Sequence, residues 1–260
     1  MLNFIDTHAH LDGEEFAQDL PEVVERAREQ GAEKIFVPAI DEASSERALR
    51  LASEYPGVVF PMVGLHPEEV KANYREVIAR LRAMYCDRFI AIGEVGLDYY
   101  WSREYEQEQL DAFRLQVEWA VEVKKPLMIH CRKAQNEMVK LLREYEKELV
   151  GGVFHCFTGN AQEAEQLLSF SRFVLGIGGV LTFKKSPLPM VLPQSVPLHR
   201  IVLETDAPYM APVPKRGTRN ESSFIPYIIS VLAQSYGVTE DEVARITTET
   251  ARRLFIPPKS

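Results

Sequence analysis

The chain opens on Phe4-Ile5-Asp6-Thr7-His8-Ala9-His10, a short apolar run that ends in two histidines two residues apart. In an extended strand, residues i and i+2 point to the same face. His8 and His10 can therefore present two imidazoles side by side, an arrangement suited to a transition-metal ion. A pair of solvated surface histidines would read the same way, so the rest of the inventory decides. His66, His130 and His155 each terminate a later apolar run, and only His199 does not. Two carboxylates, Glu94 and Asp206, stand in equivalent places.

His8, His10, Glu94, His130, His155 and Asp206 together offer four imidazoles and two carboxylates. That is too many for one tetrahedral ion and suits two divalent ions sharing a bridging group. Glu94 comes from the middle of the chain order and has two oxygens to divide. The expected allocation is His8, His10, Glu94 and Asp206 on one ion, with Glu94, His130 and His155 on the other. A water between two such cations loses a proton near neutral pH and becomes a nucleophile. Taken singly, each residue has a plainer reading: a core or rim histidine, a buried structural acid at Glu94, a turn opener at Asp206. Their recurrence at five apolar-run ends favours the metal site.

For these residues to meet, the elements that carry them must converge. Apolar runs predict strands over residues 4–6, 34–38, 58–65, 89–93, 127–129, 153–154, 173–176 and 200–203. Between them, helical spacing covers 21–30, 43–55, 68–85, 103–123, 134–149 and 161–170. Residues 96–100 read as loop, and the proline-rich stretch 184–197 as weakly patterned. Two helices, 224–236 and 239–254, close the chain, the second opened by a Thr239-x-x-Glu242 capping box. Strand–helix alternation repeated eight times in about 250 residues is the pattern of an α/β fold, a (β/α)8 TIM barrel. An open doubly wound sheet gathers its ligands at one switch point. Here the polar residues follow the first, third, fourth, fifth, sixth and eighth strands, and only a closed barrel sets all those ends around one C-terminal mouth.

Composition narrows the setting. With 46 % hydrophobic and 26 % charged residues, the 260-residue chain can bury a large core as one domain spanning 1–260. No apolar segment approaches the ~20 residues of a membrane span. Cys86, Cys131 and Cys156 are an odd, scattered set, which argues against a disulfide framework and for a reducing, cytoplasmic location. Cys131 and Cys156 adjoin histidines of the set, so alternation turns them away, and inert core thiols are expected. A net charge of −8 disfavours a protein that coats duplex DNA more than it disfavours a hydrolase whose positive charge is concentrated in one metal pocket. A monomer is expected.

The motifs D-T-H-A-H-L (6–11), G-L-H-P (64–67), G-E-V-G-L-D (93–98), P-L-M-I-H-C-R (126–132), H-C-F-T-G (155–159) and L-E-T-D-A-P (203–208) occur in this order along essentially the whole chain. In them the sequence resembles the TatD family of metal-dependent hydrolases, within the amidohydrolase-like barrels. The resemblance implies a two-metal phosphodiesterase, a magnesium- or manganese-dependent deoxyribonuclease that trims single-stranded DNA from the 3′ end. Two stretches depart from the family pattern. Residues 215–222 carry Thr218 and Ser222 where a basic R-G-K-x-N-E-P loop has lysine and proline, and Thr248-Glu249-Thr250-Ala251 lacks an asparagine before the alanine.

Supporting roles follow from position. His66, at the rim, suits contact with a scissile phosphate or protonation of the leaving oxygen. Glu204, two before Asp206, shares its face while the strand lasts and suits orientation of the attacking water or of a ligand histidine. Catalytic work is thus assigned to Glu94, Asp206, Glu204 and His66. Arg132, Lys184, Arg216 and Arg219 are candidates to neutralise phosphate, and Tyr99, Tyr100 and Trp101 to stack bases. The cofactors expected are two divalent ions, Mg, Mn or Zn. The same centre could attack a carbonyl, as in an aminoacyl-tRNA deacylase or small amidohydrolase. A non-catalytic binding protein on the same barrel is disfavoured because every proposed ligand is present.

Overall fold

The computed structural model describes residues 2–256; Met1 and residues 257–260 of the expected domain lie outside the described residues. Eight strands appear in order: β1 Phe4–Asp6, β2 Ala32–Val37, β3 Val59–Pro61, β4 Ile92–Asp98, β5 Leu127–Arg132, β6 Gly152–Phe154, β7 Phe173–Ile177 and β8 Ile201–Leu203. The helices between and after them are α1 Leu20–Glu29, α2 Glu42–Glu54, α3 Tyr74–Met84, α4 Glu106–Val123, α5 Gln135–Tyr145, α6 Ala161–Leu168, α7 Leu188–Ser195, α8 Ile225–Tyr236 and α9 Glu240–Phe255. Pairing is parallel throughout, β1-β2-β3 in one ladder and β4 through β8 in the other. Two parallel bridges, Val63 with Ile92 and Ala9 with Ala207, join the ladders at both seams and close a (β/α)8 barrel.

Strand alternation divides the apolar residues into two layers. Ile35, Val37, Leu127, Ile129, Phe154, Leu175 and Leu203 pack outward with helix residues such as Phe113, Trp119 and Leu142. Ile5, Phe36, Met62, Met128, Val153, Val174 and Val202 form the other cluster, inside the barrel, where α9 adds Ala251 and Phe255. The Phe255 ring meets Phe36 edge-on at 5.0 Å and closes the lower end. This inner layer aims the site. Met128 precedes His130 by two, Val153 precedes His155 by two and Val202 precedes Glu204 by two, so each polar residue continues an inward-facing row.

Three expectations need correction. β4 does not stop at Gly93 but continues to Asp98, with residues 96–98 paired to β5 where a loop was expected. The glycine that suggested a loop is demanded by a close approach. Gly96 has φ +145°, and a Cβ there would lie 1.9 Å from the His130 carbonyl oxygen. The helix expected from Glu68 begins only at Tyr74, after a 3-10 turn over Pro67–Glu69. The stretch 184–197 contains α7, whose Pro189 sits in the first turn, where no intrahelical N–H is needed. Burial of Leu188 and Leu192 offsets the bond lost at Pro193.

α9 anchors the seam from below. Its N-cap is half of the expected capping box: the Thr239 hydroxyl accepts the Glu242 N–H. Thr248 and Thr250, in the stretch without the family's asparagine, donate to the carbonyls of Asn3 and His199.

Candidate metal centre

Six side chains from five strands or their ends meet at the mouth. His8 Nε2 lies 3.2 Å from His10 Nε2, 3.2 Å from Glu94 Oε2 and 3.6 Å from Asp206 Oδ1. His10 Nε2 lies 3.5 Å from the same glutamate oxygen and 3.7 Å from the same aspartate oxygen. Four donors around one ion at ~2.1 Å stand roughly 3.4 Å apart at the edges of a tetrahedron. These five separations fit that figure. The other Glu94 oxygen, Oε1, faces a second group, 2.9 Å from His130 Nδ1 and 2.7 Å from His155 Nε2, which are 3.2 Å from each other. One carboxylate thus divides its oxygens between two clusters of nitrogen.

Hydrogen bonds fix which ring nitrogens are free to ligate. Asp98 Oδ2 stands 2.8 Å from His130 Nε2, so that nitrogen carries the proton and Nδ1 keeps its lone pair toward Glu94. His66 is arranged the opposite way. Its Nδ1 accepts the Glu68 N–H at 3.2 Å, leaving the proton on Nε2, 3.4 Å from Glu94 Oε1. His66 therefore enters the site as a hydrogen-bond donor and not as a ligand. Behind His155, Glu204 Oε1 lies 3.8 Å from Nδ1 while accepting the Cys156 N–H. His8 Nδ1, His155 Nδ1 and Glu204 Oε2 are buried without a hydrogen-bond partner among the described residues.

The electrostatics favour positive charge between these groups. Burial alone would raise the Glu94 carboxyl, but His155, His66 and His8 outweigh it and hold Glu94 well below its ordinary range. Burial opposes protonation of His155, yet the Glu94 charge prevails and pushes it up to about 10. His130 is likewise raised, against burial, by Asp98 and Glu94. His8 goes the other way, brought to about 4 by burial and by the His155 ring stacked on it at 4.1 Å. A neutral His8 keeps a lone pair for a cation at pH 7. Four imidazole nitrogens converging on carboxylate oxygens, with the His130 proton position set from outside by Asp98, fit a divalent-metal site.

Glu204 does not share a face with Asp206. β8 ends at Leu203, and Asp206 has a positive φ of 55°, which breaks the alternation. Asp206 turns to the mouth, whereas Glu204 is fully buried against Gly176, where a Cβ would meet its Oε2 at 2.1 Å. Burial raises its carboxyl to about 8. The thiols of Cys131 and Cys156 are also pushed up by burial, the former to about 12, which keeps both protonated and unreactive.

The basic candidates separate. Arg132 is exposed at the end of β5, and Lys184 is exposed beyond β7. Arg216 lies over the Phe183 ring at 3.9 Å and donates to the Ala211 carbonyl. Arg219 is withdrawn from the set: its guanidinium is bidentate on Asp19 at 2.8 and 2.7 Å, above the Phe16 ring. Tyr99 is buried, unlike Tyr100 and Trp101.

Two residues that shape the site were missed as functional in the sequence. Asp98 follows Glu94 by four on a strand, the same-face signal that the loop reading concealed. Asp6 is fully buried and accepts from the backbone N–H groups of His8 and Thr205 and from the Thr205 and Ser222 hydroxyls.

A family model described as TatD related DNase matches residues 5–256. The chain belongs to the TatD family. It is 39 % identical over 251 residues to YabD of Bacillus subtilis (strain 168), named an uncharacterized metal-dependent hydrolase, covering 96 % of this chain and 98 % of that one. It is 32 % identical over 255 residues to the 3′-5′ ssDNA/RNA exonuclease TatD of Erwinia tasmaniensis, with 96 % and 98 % covered. Among solved structures, the TatD homologue YJJV of Escherichia coli K12 superposes with a TM-score of 0.88 at 28 % identity, over 97 % of each chain. This member of the TatD family is accordingly a metal-dependent hydrolase on a TatD barrel.

Proposed function

We propose that this chain is a phosphodiesterase that holds two divalent ions, and that its substrate is single-stranded nucleic acid, DNA above all, trimmed from the 3′ end. The observation that carries the reading is the divided carboxylate. Glu94 Oε2 stands within 3.2–3.5 Å of His8 and His10, while Oε1 stands within 2.7–2.9 Å of His155 and His130. One ion would be held by His8, His10, Glu94 and Asp206, the other by Glu94, His130 and His155. Divalent ions held there would supply an activated water and neutralise charge developing on the phosphoryl and leaving oxygens. His66, with its proton on Nε2, donates to a phosphate or leaving oxygen. Asp98 fixes the His130 ring, and Glu204 stands behind His155. Arg132, Lys184 and Arg216 offer positive charge at the rim to the strand backbone. The Erwinia relative, named an exonuclease on single-stranded DNA and RNA, supports the substrate class. Three free cysteines accord with a cytoplasmic enzyme, and residues 1–260 are taken as one domain.

The test is a ladder assay on 5′-labelled single-stranded DNA with Mg2+, Mn2+ or Zn2+, together with elemental analysis of the purified protein. Stepwise shortening from the 3′ end and two metal equivalents per chain are expected. DNA left intact under all three ions, with release of the amino acid from aminoacyl-tRNA, would replace this reading with carbonyl hydrolysis at the same centre.

A further inference from the structure

The metal centre does not end at its ligands. Asp98 uses one oxygen, Oδ2, on the His130 ring and the other, Oδ1, to accept the Tyr100 backbone N–H at 2.8 Å. The chain leaving β4 is thereby tied to the ring that faces Glu94. Tyr100 and Trp101 then turn outward, 49 % and 68 % exposed, their rings edge-to-face at 4.8 Å. The Arg132 guanidinium lies 3.6 Å over the Tyr100 ring and 5.2 Å from the Trp101 ring. Arg132 follows His130 by two on β5, so it stands on the same row one step nearer solvent. Below this group, a cavity of about 650 Å³ runs past Arg132 and Lys133 to His155. Glu163, on its wall, is engaged in capping α6 through the Asn160 N–H.

Two exposed aromatic rings on a polar rim leave much of their apolar surface in water in the free protein. A cation stacked on one of them, beside a cavity that reaches His155 of the metal centre, gives them a use. We propose that Tyr100, Trp101 and Arg132 form a nucleotide subsite, in which an unpaired base stacks on the Trp101 ring and Arg132 meets the adjoining phosphate. The proposal rests on the nuclease reading above and adds to it the element that grips the base. Arg132 serves both partners: it covers one Tyr100 face, which fixes that ring, and leaves its outer N–H groups to an anion. Stacking is tolerant of sequence because every base has a π-face, so the subsite selects unpaired strands and not a particular base.

The readout is built into the chain. It has two tryptophans. Trp119 is 2 % exposed and Trp101 68 %, so a strand landing on the rim quenches Trp101 alone. A ten-nucleotide oligothymidylate, titrated in chelator so that it stays whole, is expected to quench saturably, and an abasic strand of equal length to bind more weakly. The Tyr100→Ala/Trp101→Ala variant, followed by anisotropy of a labelled strand, is expected to bind the thymidylate roughly 5- to 150-fold more weakly per base stacked and to bring the intact-to-abasic affinity ratio close to one. Arg132→Ala is expected to reduce the slope of log K against log salt by about 0.7, one phosphate contact on a single strand. A wild-type protein that cleaves the thymidylate yet binds intact and abasic strands equally overturns the subsite and leaves the nuclease reading standing. A wild-type protein that neither binds nor cleaves any strand, while hydrolysing a small phosphodiester, overturns both.

Discussion

The two halves of the mouth hold their imidazoles by different means. On the β1/β8 side the path of the backbone places the ligands. Thr7 N–H donates to Leu203, Asp206 N–H to His8 and His10 N–H to Ala207, all at 2.8–2.9 Å, so the seam that closes the barrel also carries His8, His10 and Asp206. Asp6 fastens that seam from below through Thr205 and Ser222, and Asn220 fastens it from the loop side by donating to the Thr205 and Tyr209 carbonyls. On the β4/β5/β6 side, side chains perform the orientation. His130 has Asp98 behind it, His155 has Glu204 behind it at 3.8 Å, and β5 and β6, which carry or lead to the two rings, pair with each other in regular register. Ligand placement is inseparable from folding in the first half and separable from it in the second.

Glu94 belongs to both halves, and its replacement should have the largest effect. Glu94→Gln keeps the shape but removes the charge shared by the two clusters. Activity should fall by about 10²- to 10³-fold, the scale seen when a principal electrostatic element of an active site is lost. Metal content by elemental analysis should fall in parallel. Near-normal turnover with a full metal complement would mean that the Glu94 charge does not bridge the two clusters.

Next comes the seam. Asp6→Ala leaves two hydroxyls and two backbone N–H groups, all buried, without their acceptor, a loss on the order of 3 kcal/mol. For a chain of this size that lowers Tm by roughly 6–12 °C in calorimetry. An unchanged Tm together with lost activity would mean that the seam, too, only orients ligands, and the contrast between the halves would collapse.

The contrast also separates what could be read in the sequence from what could not. The barrel was legible because its signal is local and repeated: apolar runs of strand length, six of the eight ending in a polar residue, alternate with helical spacing from Phe4 to Leu203. The six clustered residues were legible for the same reason, each lying within four residues of a strand end. Asp98 was hidden because Gly96 signals a loop, and only pairing with β5 makes it a strand residue. The Arg219–Asp19 pair was hidden because 200 residues separate its members. Nothing local distinguishes an arginine that meets a partner across the fold from one that waits for phosphate. α7 was obscured by its prolines, whose cost is offset by burial that no window of sequence displays.

On the side-chain-oriented half, the effect should be smaller and confined to the metals. Asp98→Asn removes the charge that fixes the His130 tautomer while preserving volume. Metal affinity should drop about 10- to 100-fold, with activity recovered at high metal concentration and Tm of the metal-free protein close to wild type. A metal-free Tm shifted as far as that of Asp6→Ala would show that Asp98 also holds the fold together.

The smallest effect sharpens the seam side. Outside the seam, Glu221 receives Arg26 from α1 through both oxygens and the Ser223 hydroxyl through one, pinning the loop after β8 to the first helix. Burial would raise its carboxyl, but the Arg26 hydrogen bonds outweigh that and hold it below the ordinary 4.5. A carboxyl with a depressed folded value stabilises the native state fully above its unfolded value and ceases to do so as pH falls through the folded one. Glu221→Gln should therefore cost about 1–2 kcal/mol at pH 7 in urea unfolding and progressively less below about pH 4.5, where the wild-type carboxyl is itself being protonated. A difference between the two proteins that stays constant from pH 7 to pH 3 would mean that the pair is held by shape and not by charge, and that the seam owes its outer support to packing alone.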